Sequence, residues 1–473
     1  MHHCLEITEI LKTIFNNFGF SASRRDLYAL ALVSKAFHEP ALDVLWELQD
    51  CILPLIKTFP VEVWEQSGNP STLSFQRPLV ATDIVRFRFY GRRMKTLHIT
   101  DQVFRMYVSE QAPGLATLTI FSALRAKSPH VQDFNIHGGQ FSRNVLTPHI
   151  SISLCGFLRL HTIHCSEVAL THEAIVHLVS LPTLYEVDIY ISNGPINITE
   201  PHSPFPALRL LTLNGDSITP HIEFVKKFVR SALLQSFSIC VANPPSSAEL
   251  GQMFSLLVAH SAPEHLTSIE VRHPDYIGYG DDSPSLLNAR DFEPLTKFTN
   301  LECISIETEC TVENFDDSFL ETLAWTKLHH LAFTNCWSTS PPSQCTLRGI
   351  LHLALHCPDL TSLSIPFQAS AEISWNGRPG GGVVNEHLQE LDVGQSPITD
   401  PRAVASFLSD IFPRLKCIVA WDNFDPDNPT EVANRKRWME MIQLFESFVA
   451  IRNEERAWAA AAGGRSKLEM RVD

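Results

Sequence analysis

Several groups of residues have the types that chemistry needs, and each fails on spacing. His172-Glu173-Ala174-Ile175-Val176-His177 carries the two histidines and the glutamate of a zinc-hydrolase helix. Its histidines are five residues apart, and at about 100° per residue five steps turn them off the shared face that four would give. Gly377-Arg378-Pro379-Gly380-Gly381-Gly382 has the glycines of a phosphate cradle but no lysine followed by serine or threonine. The 11 cysteines, scattered from Cys4 to Cys417, include no Cys-x-x-Cys pair, which argues against both a disulfide framework and a common zinc site. Most of them read as small buried hydrophobes in a reducing compartment. There is no Gly-x-Ser-x-Gly elbow, His329-His330 sits inside a strand pattern, and the 21 histidines are dispersed. The Asn197-Ile198-Thr199 sequon means little without a secretory signal. No catalytic, metal or cofactor residue is assigned, and the chain is expected not to be an enzyme.

What the spacing does repeat is structural. An apolar residue, two others, an apolar residue, one other and a third apolar residue, as in Met94-Lys95-Thr96-Leu97-His98-Ile99, return beginning at Leu184, Leu208, Leu234, Leu266, Leu301, Leu328, Leu360 and Leu388. Weaker copies begin at Leu115, Val131, Leu160 and Leu415, and helical segments lie between, as at Thr171 to Leu178, His221 to Ser231, Ala248 to His260, Arg348 to His356 and Arg402 to Ile411. From Leu160 onward the copies are 24 to 35 residues apart, the period of leucine-rich repeats, in which each strand-plus-helix unit buries its apolar face only by stacking on the next. The predicted fold is therefore α/β, a solenoid of parallel strands with outer helices over residues 94–422. Cys336 falls at the turn position of its repeat. A doubly wound sheet is disfavoured because no glycine-rich strand-to-helix turn appears.

In each unit the residue between the last two apolar positions should point off the core, because strand side chains alternate. Those positions are His98, Thr119, Asn135, His164, Asp188, Thr212, Ser238, Glu270, Ser305, Ala332, Ser364, Asp392 and Val419, mostly polar as an exposed face requires. With the flanking Glu186, Arg272, Glu307 and Glu390 the ridge leans acidic. Glu186, Asp188, Glu270, Arg272, Glu307, Glu390 and Asp392 are the candidate target-binding residues, suited to a basic or mixed-charge protein surface. Acidic residues on an acidic chain also serve simply as a solvated face. The proline-, glycine- and serine-rich loops at 192–207, 273–288, 337–346 and 375–384 read first as tolerated insertions.

Two helical pieces flank the array. Residues 434–462 form an amphipathic segment with Trp438, Met441, Ile442, Phe445, Phe448 and Val449 on one side, suited to capping the open end of the repeats, so 423–462 is assigned as a cap and 463–473 as a disordered tail. Residues 1–50 hold three short helices with more apolar surface than they can hide. Thr8 serves as a cap ahead of Ile10, Leu11, Ile14 and Phe15, a second helix opens near Asp26, and Pro40 opens the third at its first position. The second is apolar over most of its circumference, which predicts burial. Residues 51–93 connect this module to the repeats.

The order Leu5-Glu6-Ile7-x-Glu9-Ile10-Leu11-x-x-Ile14-Phe15, then Leu27-x-x-Leu30-Ala31-Leu32-Val33-Ser34-Lys35-x-Phe37, then Pro40-Ala41-Leu42-Asp43-x-Leu45-Trp46 resembles the F-box domain, particularly its form in mushroom-forming fungi, and the resemblance continues through residues 75–79 and 83–87. It covers about a tenth of the chain, with one departure, Thr8 where the family usually has proline. The resemblance implies docking onto a Skp-family adaptor and through it a cullin-RING ubiquitin ligase. It also implies that Leu5, Ile10, Ile14, Leu30, Val33, Phe37 and Trp46 contact the adaptor or form the module's own core. An F-box before leucine-rich repeats is a known pairing, and implies a substrate receptor. The alternative is an interaction scaffold whose degenerate F-box no longer engages a ligase.

Composition fits either reading. At 473 residues and 44% hydrophobic, the chain can bury a large core. A net charge of -15 disfavours nonspecific nucleic-acid binding. No run of about 18 apolar residues or signal-peptide pattern occurs, so no membrane partner is expected, and the cytoplasm, the nucleus or both are the expected location.

Overall fold

The computed structural model describes residues 7–17, 24–67, 72–77, 79–100, 115–137, 147–194, 204–273, 285–307, 310–313, 315–323, 325–334, 343–369, 380–422 and 424–469. Thirteen parallel strands follow one another in chain order, six in one compact unit (residues 1–215 with 226–231) and seven in another (216–225 with 232–473).

In the first unit the strands are Leu48–Gln49, Thr96–Thr100, Asp133–His137, Thr162–Ala169, Glu186–Ile191 and Leu210–Gly215. Their register sets Leu97, Phe134, Ile163, Val187 and Leu211 side by side, none more than 1% exposed. The leading apolar residues Met94, Val131, Leu160, Leu184 and Leu208 are equally buried. Helices Leu115–Lys127, Thr147–Leu154 and His172–Ser180 run between strands, the last capped by the Thr171 hydroxyl, which accepts from the Ala174 N–H.

The second unit repeats the plan with Ser236–Val241, Ser268–Arg272, Cys303–Glu307, His330–Thr334, Ser362–Ser364, Glu390–Asp392 and Cys417–Val419. Phe237, Ile269, Ile304, Leu331, Leu363 and Leu391 form its continuous core row. Its helices start where side chains supply the missing partners. Ser246 and Glu249 form a reciprocal capping box for Ser247–His260, Thr346 caps Leu347–His356, and Asp400 caps Pro401–Ile411. The helix Pro429–Glu469 packs along Pro401–Ile411. It buries Trp438, Met441 and Phe445, and the Trp438 and Trp421 indoles both donate to the Ser396 carbonyl, at 2.8 and 2.9 Å. Arg452 reaches the wholly buried Asp410 at 3.2 Å.

At the other end of the chain, three helices precede the sheet: α1 (Thr8–Asn17), α2 (Arg24–Val33) and α3 (Lys35–Glu47). Leu11, Phe15, Ala31, Ala41 and Leu42 make their core, with Phe15 edge-on to Phe37 at 5.6 Å between centroids. Within the first unit this module is tied directly to the sheet and connector. Leu48–Gln49 continues from α3 and pairs with Thr96–Leu97, Trp46 stacks on Tyr90 at 4.4 Å, and the buried Arg93 forms ion pairs with Glu39 and with Asp43 of α3. In the connector, Arg77 grips Asp83 through both carboxylate oxygens at 2.6 and 3.0 Å just ahead of the helix Ile84–Gly91, and this bond holds the Asp83 carboxyl below its usual range.

Five expectations need correction. The copy beginning at Leu115 is helix, not strand, so Thr119 has no place in the strand row; its apolar spacing of three fits both periods and helix prevailed. Ser34, not Pro40, opens the third helix: its hydroxyl accepts from the Phe37 N–H, and Pro40 lies inside, where the missing N–H removes only one early bond. The second helix is not enclosed, since Tyr28, Leu32 and Val33 are exposed. The sheet begins at Leu48, ahead of the expected start at 94. The last helix continues to Glu469 although Gly463 and Gly464 follow its alanine run, so 463–469 is not a coil; residues 470–473 lie outside the described residues. Leu5, Cys336, the sequon and most of the four long loops also lie outside them.

Candidate functional site

Two surfaces are candidates, one apolar and one polar. On α1, Leu11 and Phe15 turn inward, while Ile10 and Ile14, with Ile7 just ahead of the helix, line the adjoining face at 37, 36 and 43% exposure. On α2 the inward residue is Ala31, and Tyr28, Leu32 and Val33 stand out at 58, 66 and 66%. Both helices pack on α3, which takes up one stripe of each and no more.

The seven residues expected at the adaptor surface therefore separate into sets. Ile10, Ile14 and Val33 are exposed and free to meet a partner. Leu30, Phe37 and Trp46 are half-buried against the module's core, and serve to hold the helices. Leu5 lies outside the described residues. Tyr28 and Leu32 join the exposed set although neither was singled out; the signal was the surplus of apolar positions around α2, which pointed outward rather than to burial. Thr8 begins α1, so the departure from proline leaves a helix start in place.

The polar surface is the ladder on the side of each sheet opposite the core row. In the first unit, Asp133 accepts from the Thr96 and Thr162 hydroxyls of the strands on either side, at 3.0 Å each. His164 stands between Glu186 and Asp188, each 3.5 Å from a ring nitrogen, and Asn214 donates to Asp188 at 2.6 Å. The Asp188 hydrogen bond raises the His164 pKa above its ordinary value, burial opposes it, and Glu186, Asp188 and Asp133 add attraction. Four carboxylate or imidazole groups from three adjacent strands thus share one patch able to receive a cation or hydrogen-bond donors.

In the second unit the ladder is less open. Glu270 pairs with Arg272 on its own strand, Glu307 accepts from Ser305 at 2.5 Å, and Asp392 accepts from the Gly394 N–H at 2.8 Å, holding a turn. Glu390 is exposed. Ser238, Ser305, Ala332 and Ser364, expected on an exposed face, are buried at 8, 4, 2 and 8%. They point off the core as alternation demands, but with strands about 4.8 Å apart small side chains are shaded by longer neighbours such as Glu270, His330 and Glu307. The sequence gives orientation, and side-chain size decides accessibility.

Among the described residues no group of three or more histidine, cysteine or carboxylate side chains is placed to hold a metal, and no helix is long and apolar enough to cross a membrane. His177 of the zinc-like segment has its Nε2 3.0 Å from the Phe157 carbonyl. Burial pushes the Cys165 thiol above its usual range and Cys345 up to about 12, so neither is a ready nucleophile.

No family model matches the chain, and no curated protein matches it. Among solved structures it is similar to one described as the Rad7 and Elc1 complex in yeast, at 15% identity, covering 89% of this chain and 91% of that chain, with a TM-score of 0.41.

Proposed function

We propose that this protein is a non-catalytic substrate receptor of a cullin-RING ubiquitin ligase, docking a Skp-family adaptor through α1 and α2 and a protein target through the polar ladder. The observation that carries the reading is the exposure of Ile10, Ile14, Leu32 and Val33 on helices whose residue order resembles the F-box. Removing such side chains from water is worth about 1.5–3 kcal/mol each when complete, and nothing among the described residues covers them. An adaptor groove supplies one, and catalysis then belongs to other subunits. The target surface fits basic or mixed-charge partners, because Asp133, Glu186 and Asp188 cluster on adjacent strands around His164. On this reading the protein works in the cytoplasm, the nucleus or both.

The test is reconstitution with a purified Skp-type adaptor. The wild-type chain should bind it, and Ile14→Asp should weaken binding at least about tenfold, a loss of about 1.4 kcal/mol. A wild-type chain that fails to retain the adaptor overturns the reading and leaves an interaction scaffold.

A further inference from the structure

The helix Pro429–Glu469 outruns the repeats it caps. Among the described residues Arg452 is its last with a bond to them, reaching Ser406, Ser409 and Asp410, and the helix then continues for about 25 Å more. At the root of this extension Ile451 and Trp458 stand out at 53 and 67% exposure, with the exposed Glu454 between them. Their spacing of three and four residues puts all three on one face, turned away from the face that buries Trp438, Met441 and Phe445. Continuing the same spacing along the sequence reaches Ala461, Arg465 and Leu468. The six positions follow the pattern of a coiled-coil seam, apolar except for one acid and one base. Gly463 and Gly464 also lie in this stretch, and since glycine is a poor helix former, a helix running through them gains from a neighbour.

We propose that this face pairs antiparallel with the same face of a second copy of the chain. The order of residues is self-complementary in that direction. A two-fold axis midway between Trp458 and Ala461 sets Glu454 against Arg465 of the second copy, Trp458 against its Ala461 and Ile451 against its Leu468, and the symmetry makes each pair twice. Opposite charges then meet, and a large ring faces a methyl group, as two closely packed helices require. A parallel pair would instead oppose Glu454 to Glu454, Arg465 to Arg465 and Trp458 to Trp458, so that like charges repel and the rings crowd. So short a seam is a weak, exchanging contact. It uses none of the residues assigned to the adaptor or to the target.

Sedimentation velocity of the full chain tests this, at concentrations up to about 100 μM, a range that reports micromolar dissociation constants. Wild type should form a reversible dimer. Glu454→Arg and Arg465→Glu should each weaken it at least about tenfold, and the two together should restore it, because the swap rebuilds the same pairs in reverse. Leu32→Asp, on the other exposed apolar surface, should leave the dimer unchanged. Circular dichroism verifies that each variant is folded, and rescue by the double variant excludes misfolding as the cause of loss. A wild type that stays monomeric, single variants that dimerise like wild type, a double variant no stronger than the singles, or a dimer lost in Leu32→Asp overturns the proposal.

Discussion

Helices at the two ends of the chain put similar residues to opposite uses. In α1 and α2, Ile10, Ile14, Leu32 and Val33 keep 36 to 66% of their surface in water, although Leu11 and Phe15 beside them are buried. In Pro429–Glu469, Trp438, Met441 and Phe445 keep at most 4%. The later helix lies along Pro401–Ile411 and has polar anchors at both ends of the contact, the Ser396 carbonyl for Trp438 and Asp410 for Arg452. The earlier helices are ten residues each and pack chiefly on α3. Apolar content by itself therefore does not separate a covered helix face from an open one. What separates them is whether the chain supplies a second layer.

The largest effect should come from emptying the cap. Trp438→Ala removes a wholly buried indole and its bond to Ser396, and should cost about 3–5 kcal/mol in urea unfolding of the full chain. A loss under about 1 kcal/mol would mean the helix merely rests on the repeats, and the contrast with α1 and α2 would collapse. Next, Arg452→Met removes the ion pair to Asp410, none of whose side chain is exposed, together with the bonds to Ser409 and the Ser406 carbonyl, and should cost about 3 kcal/mol. Asp410→Asn in the same background should restore part of that loss if the broken charge pairing is the cause.

The exposed set should behave in the opposite way. Leu32→Asp is expected to change unfolding stability by no more than about 0.5 kcal/mol, because the side chain is two-thirds exposed and touches little. The same change should weaken adaptor binding at least about tenfold, by about 1.4 kcal/mol, in calorimetry. Destabilisation without loss of binding would convert Leu32 into a core residue and end the distinction between the two ends.

Legibility followed the kind of information each feature requires. The strand rows were readable because three apolar residues in one register, as in Leu184, Val187 and Ile189, define both a period and a face. The copy at Leu115 misled because an apolar spacing of three followed by two also suits a helix. Leu48–Gln49 was invisible: two residues carry no period, and only pairing with Thr96 and Leu97 makes them a strand. On the ladder, alternation told which way Asp188 and Ser305 point, but not that His164 would lie between two carboxylates, nor that Ser305 would be shaded by its neighbours. Those facts depend on which strands become adjacent.

The smallest effect concerns that ladder, where a polar group is neither sealed like Trp438 nor open like Leu32. His164 faces Glu186 and Asp188 at 3.5 Å, with Asp133 on the neighbouring strand, and its folded pKa is raised above the ordinary 6.5 by the Asp188 hydrogen bond first. A raised pKa means that the folded state binds the proton more tightly than the unfolded chain. The stabilisation is then complete below pH 6.5 and disappears as the pH rises through the folded value. Wild type should accordingly exceed His164→Gln in unfolding stability by more at pH 5.5 than at pH 8, with a difference under about 1 kcal/mol for so accessible a pair. A gap that widens toward pH 8 would mean that the ring is held neutral by burial rather than charged by its neighbours, and the ladder of the first unit would then belong with the sealed surfaces instead of the receiving ones.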